Sequence, residues 1–329
     1  MGGVDRRRFL KRVGAAGALS GAVALGRTEL AQAQHAHRMR SGFGAVGQVD
    51  HARNGFDPHV ILTDFDPGET STDASGRTVR EYELITTNKD IEVAPGVFFP
   101  AWTYNGRVPG PTIRAREGDR VRIKLINASD HPHTIHFHGF HPSGMDGVPG
   151  AGEAPPGGEF TYDFIAQPFG THLYHCHSFP LKDHIHRGLY GGFIVDPKKG
   201  RPEANEMVLV MNGFDTNFDG ENEIYAVNTV AFAYVANPIR INAGELQRAH
   251  VINITEFDPI NSIHIHANFF NLYRTGTSLT PDEFTDTISM GQAERHMIEF
   301  TYRDPGTFMF HAHQTEFVEL GWMSMFEVV

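Results

Sequence analysis

The stretch Phe-Gly-Thr-His-Leu-Tyr-His-Cys-His fills residues 169–177, and a related stretch, Pro-Gly-Thr-Phe-Met-Phe-His-Ala-His, fills residues 305–313. Both end in two histidines separated by one residue, which is Cys176 in the first copy and Ala312 in the second. Cys176 is the only cysteine of the chain and therefore cannot form an internal disulfide. Its place between two histidines indicates a metal ligand. The repeat predicts two related domains, of which only one keeps a thiolate site.

The repeat extends beyond these two stretches. Gly118 and Asn127 recur in the second half as Gly244 and Asn253 with the same spacing, and a further His-x-His pair follows each asparagine. Side chains two residues apart on a strand point to the same face, so each pair presents two imidazoles together. The four pairs are His136 with His138, His175 with His177, His264 with His266, and His311 with His313. Four matched pairs predict metal binding, whereas one pair alone is more often structural.

Strand-like patterning predicts an all-β protein. Val121, Ile123 and Leu125 alternate with charged residues, which is typical of a half-buried strand. A chain of 329 residues with 35 glycines and 19 prolines suits two sandwich domains better than one small domain. We place these domains at residues 79–196 and 205–329, with the polar stretch 197–202 as a linker. Residues 34–78 are expected to form an extended N-terminal arm, with surface histidines at His35, His37, His51 and His59.

The N-terminus has the pattern of a targeting segment. Asp5-Arg6-Arg7-Arg8-Phe9-Leu10-Lys11 carries twin arginines and precedes an apolar stretch over residues 13–25 and the small-residue site Ala31-Gln32-Ala33. Residues 1–33 therefore resemble a twin-arginine export signal, which implies a periplasmic or secreted protein. The formal net charge of −11 argues against nucleic acid or an anionic membrane surface as partner. No apolar run is long enough to predict a membrane span.

Several motifs together resemble the multicopper oxidases. They are Asn105-Gly106, the run from Pro109 to Arg114, His133-x-x-His136-x-His138-Gly139, and His175-Cys176-His177. More narrowly, the chain resembles the two-domain, laccase-like members, which are relatives of copper nitrite reductase. The resemblance implies two cupredoxin-like Greek-key β-sandwich domains. It also implies an oxidase that takes single electrons from a reductant and reduces dioxygen to water.

The resemblance implies a blue, type 1 copper held by His133, Cys176 and a downstream histidine. His184 and His186 both compete for the third position. The family places a glycine four residues after this ligand and the axial residue five after it. Gly188 and Leu189 stand at those distances from His184. We therefore favour His184, with Leu189 at the axial position.

The eight paired histidines resemble the ligands of a trinuclear copper cluster. By this resemblance His136 and His264 bind the type 2 copper, and the type 3 pair is bound by His138, His175, His177, His266, His311 and His313. One blue copper and one cluster give about four coppers per chain. Asn261 and Ala312 replace the blue-site ligands in the second domain, so only the first domain is expected to be blue. In the two-domain relatives the cluster forms between neighbouring subunits, which implies a head-to-tail homotrimer.

Asp146 is a candidate catalytic acid, because related oxidases place an acidic residue near the cluster to relay protons. The alternative is a turn aspartate before Gly147. Glu316 and Glu319 are weaker candidates of the same kind. Histidines without a matched partner are expected to be mostly structural: His131, His141, His172, His250 and His296.

Two other functions compete with the oxidase. A copper-containing nitrite reductase would share the architecture, but it needs an aspartate where this chain has His136, and a methionine where it has Leu189. A copper carrier or electron-transfer protein would need the blue site or exposed Met/His clusters, but not eight paired histidines. The natural reductant stays open among phenols, aromatic amines and low-valent metal ions.

Overall fold

The computed structural model describes residues 48–329. The predicted export signal, His35 and His37 lie outside this part of the chain. Its five short α-helices are α1 (His51–Asn54), α2 (Pro58–Thr63), α3 (Leu181–His186), α4 (Ala233–Ala236) and α5 (Thr315–Glu319). The strands up to residue 196 are β1 (Phe65–Asp66), β2 (Glu69–Thr72), β3 (Thr78–Ala94), β4 (Val97–Tyr104), β5 (Thr112–Arg116), β6 (Arg120–Asn127), β7 (His136–Phe137), β8 (Glu159–Ile165), β9 (Gly170–His175) and β10 (Tyr190–Asp196). The later strands are β11 (Asn205–Phe214), β12 (Ile224–Val227), β13 (Ile239–Ile241), β14 (Gln247–Asn253), β15 (Ile260–Ile265), β16 (Phe270–Arg274), β17 (Glu283–Thr285), β18 (Thr287–Gly291), β19 (Arg295–Phe300), β20 (Gly306–His311) and β21 (Met323–Val328).

The first half of the chain forms two facing sheets. One sheet has the strand order β1-β5-β10-β9-β7, and the other has the order β2-β3-β6-β8 with β4 paired to β3. The alternation predicted for β6 is present: Val121, Ile123 and Leu125 are fully buried. Because β7 pairs with β9 so that His136 lies opposite His175, two of the His-x-His pairs meet at one edge of the first sheet.

The second half repeats this arrangement. One sheet has the order β12-β11-β14-β19-β16-β17, and the other has the order β13-β21-β20-β15-β18. Strand β15 pairs with β20 so that His264 lies opposite His311, which is the counterpart of the pairing between His136 and His175. The prediction of an all-β protein is confirmed.

Each half has its own apolar core, and a third core joins them. Tyr104, Tyr162 and Phe137 fill the first sandwich, whereas Phe310 and Trp322 fill the second. The third core combines residues of β3 and β4 with residues of β11, β14 and β21. The two halves are therefore packed against each other through buried apolar side chains.

The described part of the predicted arm is only partly extended. Residues 48–78 contain α1, α2, β1 and β2, and Ile61 of α2 is fully buried in the core that joins the halves. His59 is half-exposed, and its Nε2 lies 2.8 Å from the carbonyl oxygen of Asn237. Across residues 48–329, no helix is both long and apolar enough to cross a bilayer.

Candidate metal centre

Three side chains from separate elements converge beside β9. His133 lies in the loop after β6, Cys176 follows the last residue of β9, and His184 lies on α3. The Sγ atom of Cys176 is 3.2 Å from Nδ1 of His184 and 3.8 Å from Nδ1 of His133. The two Nδ1 atoms are 3.2 Å apart. All three residues are at most 1% exposed, so one thiol and two imidazole nitrogens face one another away from water.

The structure distinguishes the two histidines of α3. The Nε2 atom of His186 accepts a hydrogen bond from the backbone N–H of Asp215 at 3.0 Å. Its ring packs against Phe99 and Phe257 on the side of the third core. His184, not His186, therefore lies beside Cys176.

The electrostatics of this group suit a metal cation. Burial lowers the pKa of His133 to about 3 and the pKa of His184 to about 4, so both imidazoles are neutral at ordinary pH. Burial raises the pKa of the Cys176 thiol, while hydrogen bonds from Thr134 and Ser178 oppose this shift. A cation bound at Sγ would favour the thiolate. Two nitrogens and one soft sulfur form the donor set that suits a blue copper centre, so these residues fit the ion.

A second group lies at the edge of the first sandwich. His136, His138 and His175 bring ring nitrogens within 4.8 Å of one another, and Nε2 of His138 is 3.3 Å from Nε2 of His175. His177 lies outside this close group, with its ring centroid 5.4 Å from that of His136. Burial lowers the pKa of His138 to about 3 and the pKa of His175 to about 4. These imidazoles are therefore in the neutral form that binds copper.

The second half contains a matching group. His264, His266 and His311 are within 4.8 Å of one another, and Nε2 of His266 is 2.9 Å from Nε2 of His311. The fourth residue, His313, has its ring centroid 5.6 Å from that of His264. Among residues 48–329, the candidate metal groups of the paired histidines stay within one half of the chain. One chain therefore brings together two half-sets of four histidines but not all eight.

Aspartates hold the histidine at the same position of each half-set. Nδ1 of His136 lies 2.6 Å from the carbonyl oxygen of Asp146 and 3.3 Å from its carboxylate. Nδ1 of His264 lies 3.0 Å from the carbonyl oxygen of Asp286 and 3.9 Å from its carboxylate. A proton on Nδ1 fixes the tautomer in which Nε2 is free for a metal.

Asp286 escaped the sequence analysis, because it follows its histidine by 22 residues whereas Asp146 follows its histidine by ten. Asp286 lies between β17 and β18, where its carbonyl oxygen accepts from the backbone N–H of Ile265 on β15, and sequence spacing does not show this placement.

The remaining candidates have three kinds of surroundings: buried hydrogen-bond networks, the neighbourhood of the first half-set, and the exposed surface. Three histidines belong to buried hydrogen-bond networks, because His172 contacts the carbonyl of Pro168, His250 contacts Thr171 and Glu206, and His296 accepts from the N–H of Thr275. His141 instead lies near the first half-set, with its Nε2 3.8 Å from the carboxylate of Asp146. His131 is exposed, and its ring contacts that of Trp102 in a tilted arrangement. Glu316 and Glu319 are exposed on α5.

The position equivalent to the Cys176 group is filled in the second half. The N–H of Cys176 donates to the carbonyl of Leu189, and the N–H of Ala312 donates in the same way to Trp322. The N–H of Trp322 donates to Phe317, as that of Leu189 does to His184, so Phe317 occupies the place of His184. The Trp322 indole is fully buried and donates to Asn261 at 3.0 Å. Ala312, Phe317 and Trp322 therefore stand where the first half has Cys176, His184 and Leu189, and the amide of Asn261 adjoins the indole.

Comparisons with known proteins define the family. Two family models, both described as multicopper oxidase, match residues 86–200 and 201–329. The copper-containing nitrite reductase of Neisseria meningitidis is 30% identical over 252 residues, which is 70% of this chain and 64% of that protein. A copper resistance protein A homolog of Pseudomonas syringae pv. tomato is 35% identical over 146 residues, or 43% of this chain and 24% of that protein. The chain thus spans less than two thirds of the length of these curated relatives.

Solved structures support the same class. A crystal structure of a multicopper oxidase is 57% identical with a TM-score of 0.84, covering 86% of this chain and 100% of the other. A copper nitrite reductase from Nitrosomonas europaea is 26% identical with a TM-score of 0.68, covering 76% of this chain and 94% of the other. The fold is therefore that of the two-domain cupredoxin proteins, as predicted. The chain belongs to the multicopper oxidase family, a family of copper oxidoreductases.

Proposed function

We propose that this protein is a laccase-like multicopper oxidase that couples one-electron oxidation of a reductant to the reduction of dioxygen to water. The observation that carries the proposal is the combination of one buried His133–Cys176–His184 group with two matching half-sets of histidines. A carrier or electron-transfer protein would need the first group but has no use for the half-sets. The family supports copper as the metal, and the ligand sets support about four coppers per chain.

The chain's own residues prepare these sites. Bound copper would accept single electrons at the Cys176 group and deliver them to dioxygen at the half-sets. Cys176 lies directly between His175 and His177 in the chain, so the buried group and the first half-set are joined through one or two covalently linked residues. Buried neutral imidazoles need no deprotonation before they bind the metal. The side chain of Asp146 is 41% exposed and close to both His136 and His141, which suits a carboxylate that carries protons from solvent to the half-set.

Nitrite reduction is the second candidate, because several relatives are copper-containing nitrite reductases. That reaction is expected to use an aspartate at the position of His136, and a single copper away from the blue site. Here His136 belongs to the close group with His138 and His175. The oxidase is therefore favoured.

We further propose that the two half-sets meet across a subunit boundary in a head-to-tail homotrimer. Large apolar side chains are exposed close in sequence to both half-sets: Phe140 is 64%, Phe179 is 72% and Phe269 is 49% exposed. Exposed aromatic residues beside incomplete metal sites are typical of a surface that is covered by a partner. The second half-set is open to solvent at His313, which is consistent with completion by another chain.

The experiment is copper analysis of the purified protein together with oxygen uptake and nitrite turnover in the presence of the same reductants. We expect about four coppers per chain, an intense blue absorption and oxygen uptake without nitrite turnover. About two coppers per chain, with turnover of nitrite and none of oxygen, would establish the nitrite reductase instead.

Export through the twin-arginine route is part of the proposal and has its own test. Replacing Arg6, Arg7 and Arg8 with lysine should keep the protein in the cytoplasm, whereas the unchanged chain should appear outside it. Equal export of both forms would rule out this route.

A further inference from the structure

The buried Cys176 group has no surface of its own. His133 and Cys176 are fully buried, and His184 is 1% exposed, so a reductant in solution has almost no direct contact with these side chains. Electrons must therefore enter through a neighbouring group. A residue that contacts both His133 and His184 is the best candidate for this electron-entry group.

Trp102 is that neighbour. Its ring centroid is 4.7 Å from the ring of His184 and 5.6 Å from the ring of His133, in edge-to-face geometry in both cases. Within residues 48–329, it is the one aromatic ring outside the group that contacts both histidines. Trp102 lies on β4, far in sequence from the metal-ligand motifs.

Both the backbone and the side chain of Arg187 contact Trp102 and hold its indole in place. The backbone N–H of Trp102 donates to the backbone carbonyl of Arg187 at 2.9 Å. The guanidinium of Arg187 lies 4.9 Å above the Trp102 ring and 4.8 Å above the ring of Phe218, in two cation–π contacts. Arg187 also donates to the carbonyl of Pro100 at 3.0 Å. These contacts fix the ring against His184.

The other neighbours of Trp102 reach solvent. The ring of His131 lies against the indole at a centroid distance of 4.6 Å and an interplanar angle of 35°, and its side chain is 46% exposed. Phe218 is 47% exposed on the far side of Arg187. On its outer side, Trp102 adjoins a small surface formed by His131, Arg187 and Phe218. On its inner side, it contacts the buried imidazoles of His133 and His184.

We propose that Trp102 is the electron-entry residue of this protein, and that its reductants are outer-sphere donors that pack on the surface of His131, Arg187 and Phe218. This inference rests on the proposed oxidase function. In each event the donor loses one electron and the metal held by Cys176 gains one. The indole provides the contact and is neither consumed nor protonated. A donor that must coordinate the metal is disfavoured, because His133 and Cys176 are fully buried.

The test compares Trp102→Phe and Trp102→Leu with Trp322→Phe, which changes the other, fully buried tryptophan in the second half. Bleaching of the blue absorption is followed without oxygen after mixing the copper-loaded protein with hydroquinone or hexacyanoferrate(II). We expect Trp102→Leu to slow bleaching by about tenfold, which corresponds to a barrier increase of about 1.4 kcal/mol. Trp102→Phe should have a smaller effect, and Trp322→Phe should have none.

Two further readouts separate electron entry from a structural role. The blue spectrum and the reduction potential should be unchanged in Trp102→Leu. The Trp322→Phe variant keeps only Trp102, and the Trp102→Phe variant keeps only Trp322. Copper loading should quench the tryptophan fluorescence of the first variant more than that of the second. Should Trp102→Leu fail to fold, His131→Ala tests the same route at an exposed residue and should slow bleaching.

Bleaching as fast as, or faster than, in the unchanged protein would overturn the inference, because Trp102 would then be only a cover. A slower rate explained entirely by a shifted potential would overturn it as well. Failure of the unchanged protein to develop a blue absorption would instead contradict the proposed function.

Discussion

His184 and His186 lie on the same short helix, α3, yet their rings have opposite surroundings. His184 faces Cys176, whereas His186 is bonded to the backbone of Asp215 and packed among aromatic rings. We therefore expect His184→Ala to abolish the blue absorption on copper titration. His186→Ala should keep that absorption but lower the free energy of unfolding by about 1–3 kcal/mol, the usual effect of emptying a buried site. A colourless His186→Ala with a blue His184→Ala would reverse the assignment.

The buried histidines also make the metal-free protein sensitive to acid. Burial lowers the pKa of His133 and His138 to about 3, and those of His172, His175 and His184 to about 4, from an ordinary value of 6.5. Between pH 6.5 and about 4 the unfolded chain binds more protons than the folded chain. The free energy of unfolding must then decrease as the pH falls through this window.

Urea denaturation of metal-free protein at neutral pH and at about pH 5 measures this decrease. The copper-loaded protein should lose its metal over the same range, because protons compete for the imidazoles. A denaturation midpoint that is independent of pH in the metal-free protein would show that these histidines are protonated without unfolding.

At the scale of elements, the segment from β20 to β21 repeats the segment from β9 to β10 but carries no metal ligands at its centre. Gly188 and Gly321 both have positive φ, of 114° and 128°, and each ends the short helix before the next strand. The backbone is thus kept while Trp322 fills the space between Asn261 and Ala312. Loss of the cysteine is only one of several changes that closed this site.

Restoring the cysteine alone should therefore not restore a blue site. In a Cys176→Ser background, we expect Ala312→Cys to remain colourless on copper titration. Asn261→His and Phe317→His should also have little effect until Trp322→Leu removes the indole, a large-to-small change that costs about 3 kcal/mol of stability. Circular dichroism controls for folding, and a blue absorption in the protein that carries Cys176→Ser and Ala312→Cys alone would contradict this account.

The grouping of the paired histidines was predictable from sequence, because a strand places residues two apart on one face, as at His264 and His266. The choice of His184 followed from its spacing to Gly188, and α3 provides the geometric reason for it. Trp102 and Asp286 were not predictable, because β4 and β18 approach the sites only through sheet pairing and sandwich packing. The roles of Phe317 and Trp322 were not predictable either. Backbone hydrogen bonds show that they are equivalent to His184 and Leu189, but their residue types do not.

At the scale of the whole molecule, the repeat leaves each chain with two half-sets that remain apart. His136 lies at an edge strand of the first sandwich, and His264 lies on β15 of the second. The apolar core between the halves combines residues of β11, β14 and β21 with residues of β3, β4 and β9. Sequence repeats reveal the half-sets but carry no information on which copies of the chain complete them.

A complementation experiment tests the proposed assembly. Variant A, His311→Ala with His313→Ala, keeps the first half-set, and variant B, His136→Ala with His138→Ala, keeps the second. Each should bind copper at Cys176 and be blue, yet neither should consume oxygen. Co-expression should restore part of the activity, because a head-to-tail ring that contains both variants places an intact first half-set against an intact second one. Mixing wild-type protein with a variant that lacks all four residues controls for subunit exchange. A fully copper-loaded, active monomer in sedimentation would rule out completion between subunits while leaving the oxidase assignment in place.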